Sequence, residues 1–191
     1  MKIALFGGSF NPIHYGHLVL AESARVKFSL DKIIFIPAGI PPHKNYIPLA
    51  PKKHRLNLVK LAIQNNKYFS VSDYELKKKG KSYTYQTIEY FKKTHPEDEI
   101  FFLMGIDLLA QVNSWKKGDK ILDLCKFLVG KRISSNQNIP SQILKKVYVF
   151  DIPLIDISST LIRDNIKKGQ SIKYLTPEKV EKYILKNKLY T

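Results

Sequence analysis

The sequence predicts an α/β fold: a doubly wound, mostly parallel sheet with a small helical part at the C-terminal end. Three observations predict it. Short runs rich in β-branched and aromatic residues alternate with amphipathic helical runs along nearly all of the 191 residues, as repeated βα units do. The first run, Ile3-Ala4-Leu5-Phe6, leads at once into a glycine-rich turn and a helix. Folds of this class take their ligands in such turns, outside the carboxyl ends of the strands. No internal repeat, low-complexity tract or linker breaks the pattern, so residues 1–191 are expected to form one domain.

Each element has its own warrant. Tyr15–Phe28 reads as a helix, with Leu18, Ala21 and Val26 near helical spacing. Lys32–Ile36 is a β-rich run closed by Pro37. Prolines 37, 41, 42, 48 and 51 make the next stretch an irregular loop. Lys52–Asn65 is helical, Phe69–Val71 a short strand, and Tyr74–Gly80 a polar loop or edge. A helix over Thr84–Lys93, starting near Ser82, precedes the strand Glu99–Met104. Leu108–Val112 is short and helical, Asp119–Leu124 leads into the strand Phe127–Val129, and 131–146 is loop-like. Strands are expected at Val147–Phe150 and Ile155–Ile157, then a helix from Ser158-Ser159-Thr160 to Lys168. Thr176-Pro177-Glu178 has the order of an N-cap, a first-position proline and a first-turn acid.

Composition narrows the class. Hydrophobic content of 44% and charged content of 25% suit a globular protein. No apolar stretch approaches the roughly 18–20 residues of a membrane span, and Met1-Lys2 leads straight into the first strand rather than a signal peptide. A lone Cys125 excludes a disulfide framework and suits a reducing cytoplasm as a small buried hydrophobe. The net charge of +16 comes mostly from dispersed lysine; the arginines are Arg25, Arg55, Arg132 and Arg163. Planar recognition of bases and phosphates favours arginine, so no dedicated nucleic-acid surface is expected, although the field would draw in small anions.

Chemistry concentrates in two places. Gly8-Ser9-Phe10-Asn11-Pro12-Ile13-His14-Tyr15-Gly16-His17 sets glycines and two imidazoles at a strand-to-helix turn. Glycine lets backbone approach a ligand, and a helix N-terminus offers free N–H groups to an anion. A G-x-G-x-x-G fingerprint and a P-loop are both absent. A histidine pair three residues apart, without Cys or carboxylate ligands beside it, is poor for a metal. The second place, Ile157-Ser158-Ser159-Thr160-Leu161-Ile162-Arg163, puts three hydroxyls at a helix start and a guanidinium one turn later, groups that would grip a polyphosphate.

Taken together, these two motifs resemble the nucleotidyltransferase superfamily marked by an H-x-G-H turn and a late I-S-S-T-x-I-R signature. Within it the chain is similar to the bacterial nicotinate-nucleotide adenylyltransferases. The likeness runs through Gly7–His17, Pro37–Lys44, Ser82-Tyr83-Thr84, Gly105-Ile106-Asp107 with Trp115, Leu128–Arg132 and Ile157–Arg163. It implies a Rossmann-like nucleotidyltransferase fold and adenylyl transfer from ATP to nicotinate mononucleotide, with Mg²⁺ carried mainly by ATP. It further implies that His14, His17 and Arg163 serve catalysis. Gly7, Gly8, Ser9, Phe10, Gly16, Gly105, Asp107, Ser159 and Thr160 would bind ATP. Lys44, Tyr83, Thr84, Trp115 and Arg132 would bind the mononucleotide. The chain departs from many relatives at Asn11, where Asp is common, in Pro37-Ala38-Gly39-Ile40, where a polar residue is commoner before the Pro41-Pro42 pair, and at Asn113-Ser114, where a Pro is common before Trp115. Nicotinamide mononucleotide and phosphopantetheine are alternative acceptors on this scaffold, and a non-catalytic RNA-binding protein is the rival of another class. Self-association stays open.

Overall fold

The computed structural model describes residues 1–41, 49–132 and 140–191. Six strands lie in one sheet in the order β3-β2-β1-β4-β5-β6, every neighbouring pair parallel. The strands are β1 (Lys2–Gly8), β2 (Lys32–Pro37), β3 (Phe69–Val71), β4 (Glu99–Gly105), β5 (Lys126–Arg132) and β6 (Val147–Ile152). The chain winds outward from β1 to β3, returns, and winds outward again from β4. The strand order therefore reverses between β1 and β4, where a crevice opens above their carboxyl ends.

Side-chain alternation along the central strands feeds two cores. Ala4 and Phe6 of β1 enter one apolar cluster, and Ile3 and Leu5 enter the other. The first cluster is closed by α1 (Tyr15–Lys27), α2 (Lys52–Ile63), α8 (Ser159–Lys167) and α9 (Glu178–Lys186). The second is closed by α4 (Thr84–Thr94), α5 (Ile106–Leu109), a 3-10 turn at Val112–Ser114, and α6 (Gly118–Ile121). The helical C-terminal part is no appendage, because Ile162, Ile172, Val180, Ile184 and Leu189 are buried in the first core. Cys125 sits against the second core, and burial pushes its thiol up to about 12. It behaves as an apolar residue, as expected.

Four local expectations need correction. Ile155–Ile157 is not a strand: residues 153–158 follow the edge strand β6, beyond which no strand among the described residues is available to pair with. Tyr74–Lys77 forms a short helix, α3, rather than a loop. Tyr74 stacks on Tyr90 with ring centroids 3.9 Å apart, and Glu75 turns inward. Ser141–Leu144 is likewise helical, α7, where a loop was expected. Thr176 does not cap α9; its buried hydroxyl donates to the carbonyl of Ile13, 163 residues away, at 3.0 Å. Ser158 does cap α8 as expected, its Oγ accepting the Leu161 N–H at 3.1 Å.

Because α9 completes the first core, Ile184→Ala should lower unfolding free energy by about 2–4 kcal/mol, read as a lower urea midpoint. An unchanged midpoint would show that α9 is dispensable to that core.

Candidate active site

The turn after β1 is shaped by what happens to its carbonyl oxygens. Arg55 Nη1 donates to Ser9 O at 2.9 Å, and Arg163 Nη1 donates to Asn11 O at 2.9 Å. Ser159 Oγ donates to Pro12 O at 2.7 Å, and Thr176 Oγ1 to Ile13 O at 3.0 Å. Asn11 itself is buried, and its Oδ1 accepts the Ala50 N–H at 2.9 Å. That bond asks only for an acceptor, which explains how Asn serves where an acid is commoner. Phe10 holds a positive φ of 43° and sends its ring into the core. Its side chain is therefore not on the cleft wall. Any contact of Phe10 with a nucleotide in this cleft would be through its backbone.

The turn delivers His14 to the N-cap of α1 and His17 to its first turn. The rings lie 3.8 Å apart and tilted by 36°. A Cβ on Gly16 would press within 3.1 Å of the His14 ring, so glycine at 16 is what lets that ring pack over the helix start. His17 packs edge-on to Phe10 at 5.1 Å, and its Nδ1 accepts the His14 N–H at 3.3 Å. With Nδ1 used as an acceptor, the neutral ring carries its proton on Nε2.

Two clefts flank this turn. One, of 340 Å³, is lined by Gly7, Gly8, Ser9, His14, Gly16, His17, Gly105, Asp107, Ser159 and Thr160 among others. It gathers ten of the residues expected to meet ATP or its phosphates. Arg163 stands behind that wall, joined to Asn11 O and, through Nη2, to Thr160 Oγ1 at 3.2 Å. The other cleft, of 210 Å³, is lined by Tyr83, Thr84, Trp115 and Lys116, with Glu75 and Ser82. Gly7, Gly8, Ser9 and Leu108 belong to both. Lys44 lies outside the described residues. Arg132 ends β5, and its side chain lies outside them too.

Sequence reasoning passed over two buried charged groups here: Glu75, which lines the second cleft, and Arg55, which bonds the carbonyls of Ser9 and Gly39. Arg55 is buried and spends its guanidinium on three carbonyls, those of Ser9, Ala50 and Gly39. Burial holds its pKa below the usual arginine value. Glu75 is also buried and accepts the Thr87 hydroxyl at 2.6 Å. Burial pushes its carboxyl above the ordinary range, against the opposing pull of hydrogen bonds from Thr87 and Ser82. Gly39 lies between the two: its N–H donates to Ser82 Oγ at 3.1 Å, and its carbonyl accepts from Arg55 at 3.3 Å. A Cβ there would collide with the carbonyl of Glu75, so Gly39 is required by close approach. Arg55 left one faint signal in the sequence, a scarce arginine in a lysine-rich chain. Glu75 left none.

Among the described residues no group of three or more His, Cys, Asp or Glu side chains could hold a metal ion. Asp107 is the one carboxylate among the described residues lining the larger cleft. That donor set suits an ion brought in on a ligand's phosphates rather than a resident one. No helix of the described residues is long and apolar enough to cross a membrane.

Similarity to known proteins agrees with this geometry. The Cytidylyltransferase-like family model matches residues 5–165. The "Probable nicotinate-nucleotide adenylyltransferase" of Clostridium tetani is 46% identical, over 99% of this chain and 98% of that protein. Nicotinic acid mononucleotide adenylyltransferase of Plasmodium falciparum, solved with NaAD, is 27% identical with a TM-score of 0.81, covering 99% of this chain and 97% of the other. The same enzyme solved with APC is 25% identical at the same TM-score, covering 99% and 96%.

The raised carboxyl of Glu75 makes a pH prediction. A folded-state value above the unfolded one means that the stability linked to this proton is complete below the unfolded value. It is lost as pH rises through the folded one. Glu75→Gln, which cannot ionise, should gain stability relative to the parent chain as pH is raised above 4.5, followed by thermal unfolding across pH. A gap that stays constant with pH would refute the shift.

Proposed function

We infer that this chain, which belongs to the cytidylyltransferase-like family and within it to the nicotinate-nucleotide adenylyltransferases, transfers AMP from ATP to the 5′-phosphate of nicotinate mononucleotide. Nicotinate adenine dinucleotide and pyrophosphate are the products, and the step belongs to NAD biosynthesis. One observation carries the assignment. Two clefts of unlike chemistry meet at Gly7, Gly8 and Ser9, above the carboxyl end of the central strand. The larger, with histidines, hydroxyls and a helix N-terminus, suits a polyphosphate. The smaller, with Tyr83 and Trp115, suits a flat ring.

The roles follow from that division. In our reading His14 and His17 donate hydrogen bonds to the ATP phosphates, His17 through Nε2–H. Gly7, Gly8, Ser9 and Gly16 bring backbone close to the nucleotide. Gly105 and Asp107 lie against the adenosine, with Asp107 at the ribose hydroxyls. Ser159, Thr160 and Arg163 hold the β- and γ-phosphates. On the acceptor side Trp115 stacks on the pyridine ring, and Tyr83 and Thr84 frame it. The start of α4 at Thr84 offers backbone N–H groups to the pyridine carboxylate, a donor set that favours the acid over the amide. Lys44 and Arg132 are assigned to the mononucleotide phosphate by resemblance alone. The whole chain, 1–191, is read as one domain, and a cytoplasmic setting fits the free, half-buried Cys125.

No covalent intermediate or general base is needed. The acceptor phosphate oxygen, already anionic near neutral pH, attacks the α-phosphorus. The bond to the bridging oxygen breaks, and pyrophosphate leaves with that electron pair. The protein contributes alignment of two polyanions and fixed positive potential around the reacting phosphorus. Mg²⁺, when bound through ATP, neutralises charge on the leaving pyrophosphate. The net charge of +16 raises the local concentration of both substrates.

Pyrophosphate release with ATP and each mononucleotide is the direct test. Release is expected with nicotinate mononucleotide; release with neither would overturn the enzyme assignment, and preference for the amide would overturn the acceptor. His17→Ala should cut kcat by about 100- to 1000-fold with an unchanged unfolding profile. Near-normal turnover would remove His17 from the phosphate site.

A further inference from the structure

The acceptor cleft has only two charged side chains among its described lining residues, Glu75 and Lys116. They are not equivalent. Glu75 is buried and turned into hydrogen bonds with Thr87 and Ser82. Lys116 is exposed at the cleft and holds its ammonium 4.7 Å from the centroid of the Tyr83 ring. Tyr83 is the N-cap of α4, and it and Lys116 line the same cleft. Lys117, its neighbour in sequence, is directed elsewhere, over Tyr85 at 4.1 Å and toward Glu89 at 3.7 Å. The two mononucleotides differ at this end by one negative charge, and a cation beside the ring discriminates a carboxylate from an amide directly.

We propose that Lys116 is a specificity-determining residue, whose ammonium pairs with the pyridine carboxylate and so selects nicotinate over nicotinamide mononucleotide. The proposal rests on the adenylyltransferase reading above. Glu75, buried in the same cleft and engaged by Thr87, offers the acceptor no cation, which leaves Lys116 as the charged partner among the described lining residues. The pair at the cleft mouth is partly solvated, which limits its effect and makes it sensitive to salt.

The test compares the parent chain with Lys116→Met, which keeps the aliphatic stem over Tyr83, and Lys116→Arg, which keeps the charge. Values of kcat/KM are measured for both mononucleotides at low and high salt. Binding of each mononucleotide alone is followed by quenching of Trp115, the single tryptophan. In Lys116→Met the acid-to-amide ratio should fall about two- to fivefold, through KM rather than kcat, and Lys116→Arg should retain it. Added salt should narrow the parent's ratio and leave that of Lys116→Met little changed. An unmoved ratio in Lys116→Met, or equal loss for both acceptors, would overturn the proposal and leave Lys116 as packing for Tyr83. A parent chain that releases pyrophosphate with neither acceptor would instead overturn the underlying reading. In that case the quenching titrations still decide whether Lys116 separates acid from amide.

Discussion

Four carbonyl oxygens in five residues, those of Ser9, Asn11, Pro12 and Ile13, are each taken by a side chain from elsewhere in the chain. The turn needs this. It is folded over Phe10 and Ile13, both buried, so its backbone lies where water cannot satisfy it. An unmatched buried carbonyl costs about 1–3 kcal/mol, and four together would rival the whole stability of a domain this size. Arg55, Ser159, Arg163 and Thr176 remove that cost. They also engage the oxygens within the protein body, which on the proposed reading keeps them away from the polyanions of the cleft. The turn can present glycines, a helix N-terminus and two imidazoles to a phosphate chain because its carbonyls are engaged behind it.

This arrangement gives the late serine-threonine-arginine motif two tasks. Ser159 Oγ and one nitrogen of Arg163 hold the histidine turn, while Ser159 and Thr160 also line the cleft beside it. Arg163 reaches Thr160 with its other terminal nitrogen. Motifs about 150 residues apart in sequence are therefore one physical unit. The C-terminal segment extends the unit, since Thr176 bonds the same turn and α9 closes the core beneath it. A helical end that looked like an accessory fixes the site from below.

How much of this was legible in the sequence depended on range. The strand-helix alternation, the histidine turn and the Ser158 cap are local patterns, governed by neighbours a few residues away, and they stand where expected. Thr176 misled because Thr-Pro-Glu is a good local cap, yet a partner 163 residues distant claims its hydroxyl. Ile155–Ile157 misled because β-branched residues predict a strand only where a neighbouring strand exists to pair with. Arg55 looked like one more basic residue on a helix. Its burial follows from three carbonyls brought together by β1, β2 and the start of α2, which no window of sequence contains. Glu75 hid in a polar stretch for the same reason.

The shared rim of the two clefts is the narrowest constraint on the chemistry. Gly7 and Gly8 lie where the carboxyl end of β1 meets both spaces, and Ser9 adds only a hydroxymethyl group. A Cβ on Gly8 would press within 3.1–3.3 Å of the Phe10 ring, and one on Gly7 would touch Phe102 at 3.4 Å. A side chain at 8 would press on the Phe10 ring that shapes the turn, whereas one at 7 would make only ordinary contact with Phe102. They would also stand between the acceptor phosphate and the α-phosphorus, which must approach to within about 3–3.5 Å for in-line attack. A small residue at 8 is thus favoured by packing against Phe10, and small residues across 7–9 by the meeting of two polyanions that the proposed reaction requires. On the proposed reading, the histidines and hydroxyls on one side, and the aromatic pocket with Lys116 as its one exposed lysine among the described lining residues on the other, determine which polyanion enters from which direction.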